Sequence, residues 1–353
     1  MKAGVVLLPG DGIGPDVVAA AVRVLVRIGE RFGHAFTFTE KLIGGRALRA
    51  GAAPLPDDTL AAAKSADAVL LGAVGDPAFD NQPPSARPEA ALLALRRELG
   101  VYANLRPARA WPGLEQAGPL KPEVLAGTDL VVVRELTGGL YYGTPRGIDA
   151  DGQAAVNTLR YSRSEIERVA RVAFTLAKSR RGRLVSVDKA NVLEVSRLWR
   201  TVVTEVSHEF TGVMLSHEFV DTASMKLALT PSHFDVVLTE NMFGDILSDE
   251  AGAICGSLGL LPSASLGGGA GLFEPVHGSA PDLAGRDIAN PIGAIASAAM
   301  LLSDGLGLKE EGAAITAAIE RTLKAGRRTA DIAGPGETAI GTTAMAAAIL
   351  DHL

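Results

Sequence analysis

Short runs of four or five apolar residues recur along the chain, and the longer segments between them carry apolar positions at helical spacing. Residues 4–8, 68–71, 130–133, 184–187 and 236–239 are brief and apolar at successive positions, the pattern of strands covered on both faces. Residues 16–29, 164–180 and 195–210 repeat Val, Ala, Leu and Ile at three- and four-residue intervals and predict helices. Strands alternating with helices predict an α/β protein with a largely parallel sheet. The first strand runs into Gly10-Asp11-Gly12-Ile13-Gly14-Pro15. That order is Gly-x-Gly-x-Gly-Pro, not the Gly-x-Gly-x-x-Gly that opens a dinucleotide-binding βαβ unit. Pro15 suits the first turn of a helix, so a tight turn into a helix accounts for the motif.

Length changes this picture: 353 residues exceed the roughly 250–300 at which a single core stops growing, so two lobes are expected. The Pro/Gly-rich stretch 106–122 and the Gly/Ser/Pro-dense stretch 256–271 are the expected crossovers. The first lobe is then discontinuous, 1–101 plus 256–353, with 102–255 as the central lobe. A cleft between lobes is where small ligands commonly sit. With 47% hydrophobic residues and 40 glycines the chain has the means to bury a core and is no candidate for disorder. A net charge of −6 provides no basic footprint for nucleic acid. The longest apolar run, 292–302, is too short to span a bilayer and contains Ser297, and no signal-peptide pattern opens the chain. A cytoplasmic protein with neither membrane nor nucleic-acid partner is expected. The single Cys255 cannot form an intrachain disulfide and reads as a small buried hydrophobe.

Candidate chemistry begins at Asn241-Met242-Phe243-Gly244-Asp245-Ile246-Leu247-Ser248-Asp249. Asp245 and Asp249 share one face of a helix, where like charges repel unless something neutralises them. A solvated acidic face satisfies that spacing; so does a divalent cation, and position just after a buried strand favours the cation. Asp221 ends another apolar run and offers a third carboxylate. Glu89, Leu92, Leu93 and Arg96 fall on one helical stripe, either an ordinary amphipathic face or a pocket in which Arg96 holds a carboxylate beside apolar Leu92. Arg106 and Arg134 follow strand-like runs. An arginine directly after three buried valines needs a partner, which could be Glu135, another acid or a bound carboxylate. Tyr141 in a Gly-rich turn and Lys189 just past residues 184–187 are acid–base candidates, though each is also a common structural residue. The segment 273–285, dense in Gly, Pro, His and Asp, could bring backbone amides to a phosphate or adenine and Asp282 to a ribose diol, or be a plain loop.

Together these motifs resemble the β-decarboxylating dehydrogenases, whose members act on isopropylmalate, isocitrate, homoisocitrate, tartrate or malate. The resemblance covers 9–15, 89–96, 104–107, 134–142, 187–192, Asp221, 245–249 and 274–290, nearly end to end. It implies an open two-lobed α/β sandwich of the isopropylmalate dehydrogenase type, unrelated to the Rossmann fold. It implies Mg²⁺ or Mn²⁺ on Asp221, Asp245 and Asp249, with Tyr141 and Lys189 catalytic. Substrate contacts fall to Leu92, Arg96, Arg106, Arg134 and Asp221. NAD contacts fall to Glu89, Asn191, Glu274, His277, Gly278, Ser279, Ala280, Asp282 and Asn290, Asp282 being the NAD-type residue where NADP-using relatives tend to carry Lys. A homodimer is implied, in which Lys189 and Asp221 of one subunit complete the other's site. Isocitrate-using relatives carry Ser and Asn where this chain has Ala90 and Leu92, so the substrate implied is 3-isopropylmalate, of leucine biosynthesis. A buried methylene contributes only about 0.8 kcal/mol, so exclusion of a third carboxylate does most of that discrimination. Two alternatives remain open on the residues: a tartrate or D-malate dehydrogenase of the same family, and a non-redox metal-dependent lyase acting on small diacids.

Overall fold

A computed structural model describes every residue from Met1 to Leu353. The chain divides into two units: Met1–Val101 with Trp111–Pro119 and Cys255–Leu353, and Tyr102–Ala110 with Leu120–Ile254.

In the first unit the run at 4–8 becomes the strand Lys2–Gly10, flanked by parallel strands Ala35–Glu40 and Ala68–Ala73. Gly271–Pro275, more than two hundred residues along, lies parallel to Ala68–Ala73, and Pro262–Gly267 is antiparallel to it. The last strand lies within a stretch whose composition suggests a connection; its ladder with Gly271–Pro275 supplies the backbone partners that its small residues cannot specify. The helix Gly14–Phe32 starts at the Gly-Pro pair and ends on Gly33, whose φ of 72° suits a left-handed cap. It buries Val17, Val18, Ala21, Val24, Leu25 and Ile28 along one stripe, packing on Ile292–Met300 and Thr342–Leu350. Ile292–Met300 is buried on nearly all sides, which explains its unbroken apolar run, and no helix is long and apolar enough to cross a membrane.

The second unit orders its strands as Val101–Arg109, Asp129–Glu135, Val236–Thr239, Arg183–Asp188 and Met214–Phe219. The first pair is antiparallel and the others are parallel. Arg106 to Arg109 therefore finish a strand rather than open a connection. The helix Arg163–Ser179 begins with Ser162 and Glu165 satisfying one another's backbone N–H groups, a capping box. It packs against Glu194–Ser207, while Asn241–Ile254 lies against the strand Asp129–Glu135 and the turn Gly139–Tyr141. The parallel strands end at Glu135, Asp188 and Thr239, so the segments that follow them carry Tyr141, Lys189 and Asp245, at the carboxyl ends of strands where α/β proteins build sites.

Candidate active site

In the first unit, the opening glycine turn clasps another loop. Ile13 N donates to the carbonyl of Ser279 (2.8 Å), and at Gly12, with φ +56°, a Cβ would lie 1.8 Å from that same oxygen. Asp11, buried, accepts from the backbone N–H groups of Gly45, Arg46 and Gly75 at 2.8–2.9 Å. Gly75 lies against both Ser279 and Glu89: a Cβ there would be 3.2 Å from Ser279 Oγ and 3.3 Å from Glu89 Oε1. Beside this clasp is a cavity of about 430 Å³ whose walls include His277, Gly278, Ala280, Leu283, Asn290 and Asp331. A carbonyl can only accept, so His277 Nδ1 carries the proton it shares with Gly278 O (2.9 Å). Its Nε2 is left as a buried acceptor with no partner, and burial pulls the ring's pKa down, keeping it neutral. An orphaned acceptor on the wall of a mostly apolar cavity fits the exocyclic amine of an adenine.

Asp331, absent from the sequence-based set, organises that wall by accepting from Ser257 Oγ, Asn290 Nδ2 and Thr329 Oγ1. No periodic or compositional signal around Thr329-Ala330-Asp331 points to it. Asn290 itself is buried, whereas Asp282 and Glu89 are exposed. Arg96 and Glu274, expected on substrate and cofactor respectively, form a buried ion pair at 2.6 Å. Leu92 is half-buried on the same helix, Pro88–Glu98.

In the second unit, arginines converge on the helix Asn241–Ile254. Arg106 Nη1 lies 3.3 Å from an oxygen of Asp245, 3.3 Å from one of Asp249 and 2.9 Å from Ser248 Oγ, while its Nε donates to Asn104 (2.8 Å). Arg134, 3% exposed, pairs with Asp245 and donates through Nε to Asn241 Oδ1 (2.9 Å). The buried arginine thus finds its acid on the facing helix and not in Glu135, because neighbouring strand residues point to opposite faces. Tyr141 Oη donates to Asp245 Oδ2 at 3.0 Å, and the Arg134 guanidinium sits 5.7 Å from its ring centre. Burial, then the Asp245 charge, pushes the Tyr141 hydroxyl above its ordinary pKa, so it keeps its proton. Burial and the Asp245 charge also raise Asp249, against the pull of Arg106. Two carboxylates directed at one cationic nitrogen are a hard-oxygen pair of the kind that suits Mg²⁺ or Mn²⁺.

Lys189 and Asp221 pair with each other. Lys189 N donates to Ser196 Oγ, and the adjoining Asp188 is held by Arg200 through two hydrogen bonds of 2.8 and 2.9 Å. Asp221 and Asn191 are exposed. Within one chain Asp221 does not join Asp245 and Asp249 in a three-carboxylate cluster. Glu240, just before Asn241, accepts from Met242 N and Phe243 N and so caps the helix bearing both aspartates. Asn241 also escaped sequence reasoning, although a cap-type residue between strand and helix is a usable signal.

A family model described as isocitrate/isopropylmalate dehydrogenase matches residues 4–349. The chain is 54% identical over 356 residues to a 3-isopropylmalate dehydrogenase of Anaeromyxobacter dehalogenans, covering 100% of both. It is 55% identical over 337 residues to one of Bacillus subtilis, covering 94% of this chain and 92% of the other. Among solved structures, isocitrate dehydrogenase from Methylococcus capsulatus superposes with a TM-score of 0.88 at 34% identity over 99% of each chain. A β-decarboxylating dehydrogenase from Thermococcus kodakarensis does so with a TM-score of 0.81 at 39% identity, over 99% of this chain and 96% of the other.

Proposed function

This chain belongs to the isocitrate/isopropylmalate dehydrogenase family, and from that premise we propose that it oxidises and decarboxylates 3-isopropylmalate to 4-methyl-2-oxopentanoate with reduction of NAD. The observation that carries the reading is the cluster of Arg106, Arg134 and Tyr141 on Asp245 and Asp249. Two buried arginines suit the two carboxylates of a diacid, and a tyrosine holding its proton suits a donor. The curated relatives at 54–55% identity are 3-isopropylmalate dehydrogenases, and Ala90 and Leu92 offer apolar surface where a third carboxylate would find no partner.

Asp245 and Asp249 would hold a divalent cation, which would supply Lewis-acid polarisation of the 2-hydroxyl, and bound NAD would supply the hydride acceptor for the oxidation at C2. Arg106 and Arg134 fix the orientation of the diacid. Lys189 Nζ takes the hydroxyl proton, directly or through one water. Loss of CO₂ from the carboxylate β to the new 2-oxo group leaves a carbanion equivalent, and Tyr141 Oη supplies the proton that quenches it. Leu92 meets the isopropyl group. His277, Gly278, Ser279, Ala280, Asn290 and Asp331 receive the adenosine end of NAD, with Asp282 on the ribose diol, where its charge disfavours a 2′-phosphate. Glu89, Asn191 and Glu274 lie toward the remainder of the cofactor.

The active form in this reading is a homodimer in which Lys189 and Asp221 come from the partner subunit. Two observations support it: Asp221 lies outside the Asp245–Asp249 cluster, and the second unit exposes Ile148, Val156, Met225, Leu229 and Ile246. The test is formation of NADH with Mg²⁺, NAD and each of 3-isopropylmalate, isocitrate, tartrate and malate. Preference for 3-isopropylmalate is expected. Faster turnover of tartrate or malate would overturn the substrate assignment, and consumption of diacid with release of a dehydration or cleavage product and no NADH would overturn the redox reading in favour of a lyase.

A further inference from the structure

Behind Arg134 and Tyr141 lies a polar frame to which the reaction assigns nothing. Glu135, 0% exposed, accepts from Thr137 N (3.0 Å), Thr137 Oγ1 (2.7 Å) and Gly138 N (2.8 Å), which closes the start of the turn leading to Tyr141. The Tyr161 hydroxyl accepts from Asn241 N at 3.0 Å, and its ring lies beside the Glu135 carboxylate at Gly138. The Tyr161 ring is the floor of that turn: a Cβ on Gly138 would come within 2.4 Å of the ring, and one on Gly139 within 2.6 Å of the hydroxyl. Asn241, 1% exposed, uses both ends of its amide. Oδ1 accepts from Arg134 Nε (2.9 Å) and Nδ2 donates to Gly138 O (3.1 Å).

We propose that Asn241 and Tyr161, braced by Glu135, are positioning residues that lock Arg134 and the Gly138–Tyr142 turn into one frame, so that substrate clamp and proton donor keep a fixed relation. Neither touches the substrate. The chemistry of each position demands its residue. Asn241 must accept from a guanidinium and donate to a carbonyl at once, which a carboxylate or an apolar side chain cannot do. Tyr161 must accept from a backbone N–H in a site shielded from water. The frame also begins at the first residue of the helix Asn241–Ile254, so the same amide ties Asp245 and Asp249 to the turn carrying Tyr141. Misplacement of reacting groups by an ångström can cost about a hundredfold in rate, so such a frame is worth its buried polar groups.

The inference rests on the function proposed above, and the experiment separates the two. Steady-state kinetics with NAD, Mg²⁺ and 3-isopropylmalate compare the unaltered chain with Tyr161→Phe, Asn241→Asp and Asn241→Ala, each checked for folding by thermal melting. Tyr161→Phe and Asn241→Asp keep an acceptor for Arg134 but release the turn. They are expected to lower kcat about tenfold or more while KM for the diacid stays within about twofold. Asn241→Ala also frees Arg134, and KM is expected to rise severalfold in addition. A role in stability alone would lower apparent kcat only in proportion to the folded fraction measured by melting. Folded variants with unaltered kcat, or with losses matching only the folded fraction, overturn the frame. If the Asn241 variants do not fold, Tyr161→Phe, which removes a single oxygen, decides alone. An unaltered chain that turns over none of the diacids overturns the function instead.

Discussion

At the scale of single residues, what distinguishes this chain is how its buried charges are met. An arginine after three valines cannot be left unpaired inside a protein, and Arg134 answers with Asn241 and Asp245. That close approach requires Gly244, where a Cβ would lie 2.8 Å from both Cβ and Cγ of Arg134. Replacing a helical glycine by alanine ordinarily gains roughly 0.5–1 kcal/mol, but overpacking of this kind costs about 1–3 kcal/mol. Gly244→Ala should therefore melt earlier than the unaltered chain and show a raised KM for 3-isopropylmalate, as Arg134 is pushed from its place; an equal or higher melting temperature with unchanged KM would refute the packing argument. Lys189→Ala removes the proposed base, and kcat should fall by roughly 10²–10⁴ while calorimetry still detects the diacid binding in the presence of Mg²⁺. Retained turnover would remove Lys189 from the mechanism.

At the scale of elements, the helix Asn241–Ile254 concentrates the chemistry. Its two aspartates repel one another, its first residue anchors Arg134, and Glu240 caps its free N–H groups. Burial holds the Glu240 carboxyl above its usual range, with the capping N–H groups and Arg134 pulling the other way and Glu135 adding to the rise. A raised carboxyl favours its protonated form in the folded chain. Its stabilising contribution is thus complete below the ordinary carboxylate pKa and is lost as the pH climbs through the raised one. Glu240→Gln keeps an acceptor at the cap and has no charge to bury, so its melting temperature, relative to the unaltered chain, should gain as the pH moves from mildly acidic to neutral. A constant difference across that range would show that Glu240 is not buried as a charge. Strands and helices differed in legibility for a physical reason. Val236–Thr239, covered on both faces, shows the same limits in sequence and structure. The edge strands Ala35–Glu40 and Met214–Phe219 are half-solvated and pair on one side only, so their apolar signal is diluted. Pro262–Gly267 has composition typical of a loop and becomes a strand through its partner Gly271–Pro275.

At the scale of the whole molecule, the proposed sharing of Lys189 and Asp221 between subunits makes a quantitative claim. Asp221→Ala and Asp245→Ala should each be inactive as pure proteins. Unfolded together and refolded at equal amounts, random pairing gives about half mixed dimers, each with one intact site of two, so about a quarter of the unaltered activity should return. No recovery, with mixed dimers demonstrated by mass, would place Asp221 in its own subunit's site or outside any site. Light scattering of the purified chain should give twice the chain mass, and charged residues at Met225 and Leu229 should reduce it to one.

The α/β class and the five strand runs at 4–8, 68–71, 130–133, 184–187 and 236–239 were legible in the sequence, because burial periodicity is a local property of the chain. Asp245 with Asp249, and Arg134 after its valines, announce themselves within a few residues. Which acid each buried arginine meets, why the opening glycines are needed, and which groups Asp11, Asp331, Asn241 and Tyr161 touch were decided only by the tertiary structure. Those roles depend on backbone groups and side chains that lie dozens to hundreds of residues apart, such as Ile13 on Ser279 and Asn241 on Gly138. Hydrogen-bond partners at that separation leave no periodic trace in the chain, since any donor of the right reach would satisfy the same acceptor until folding brings one of them there.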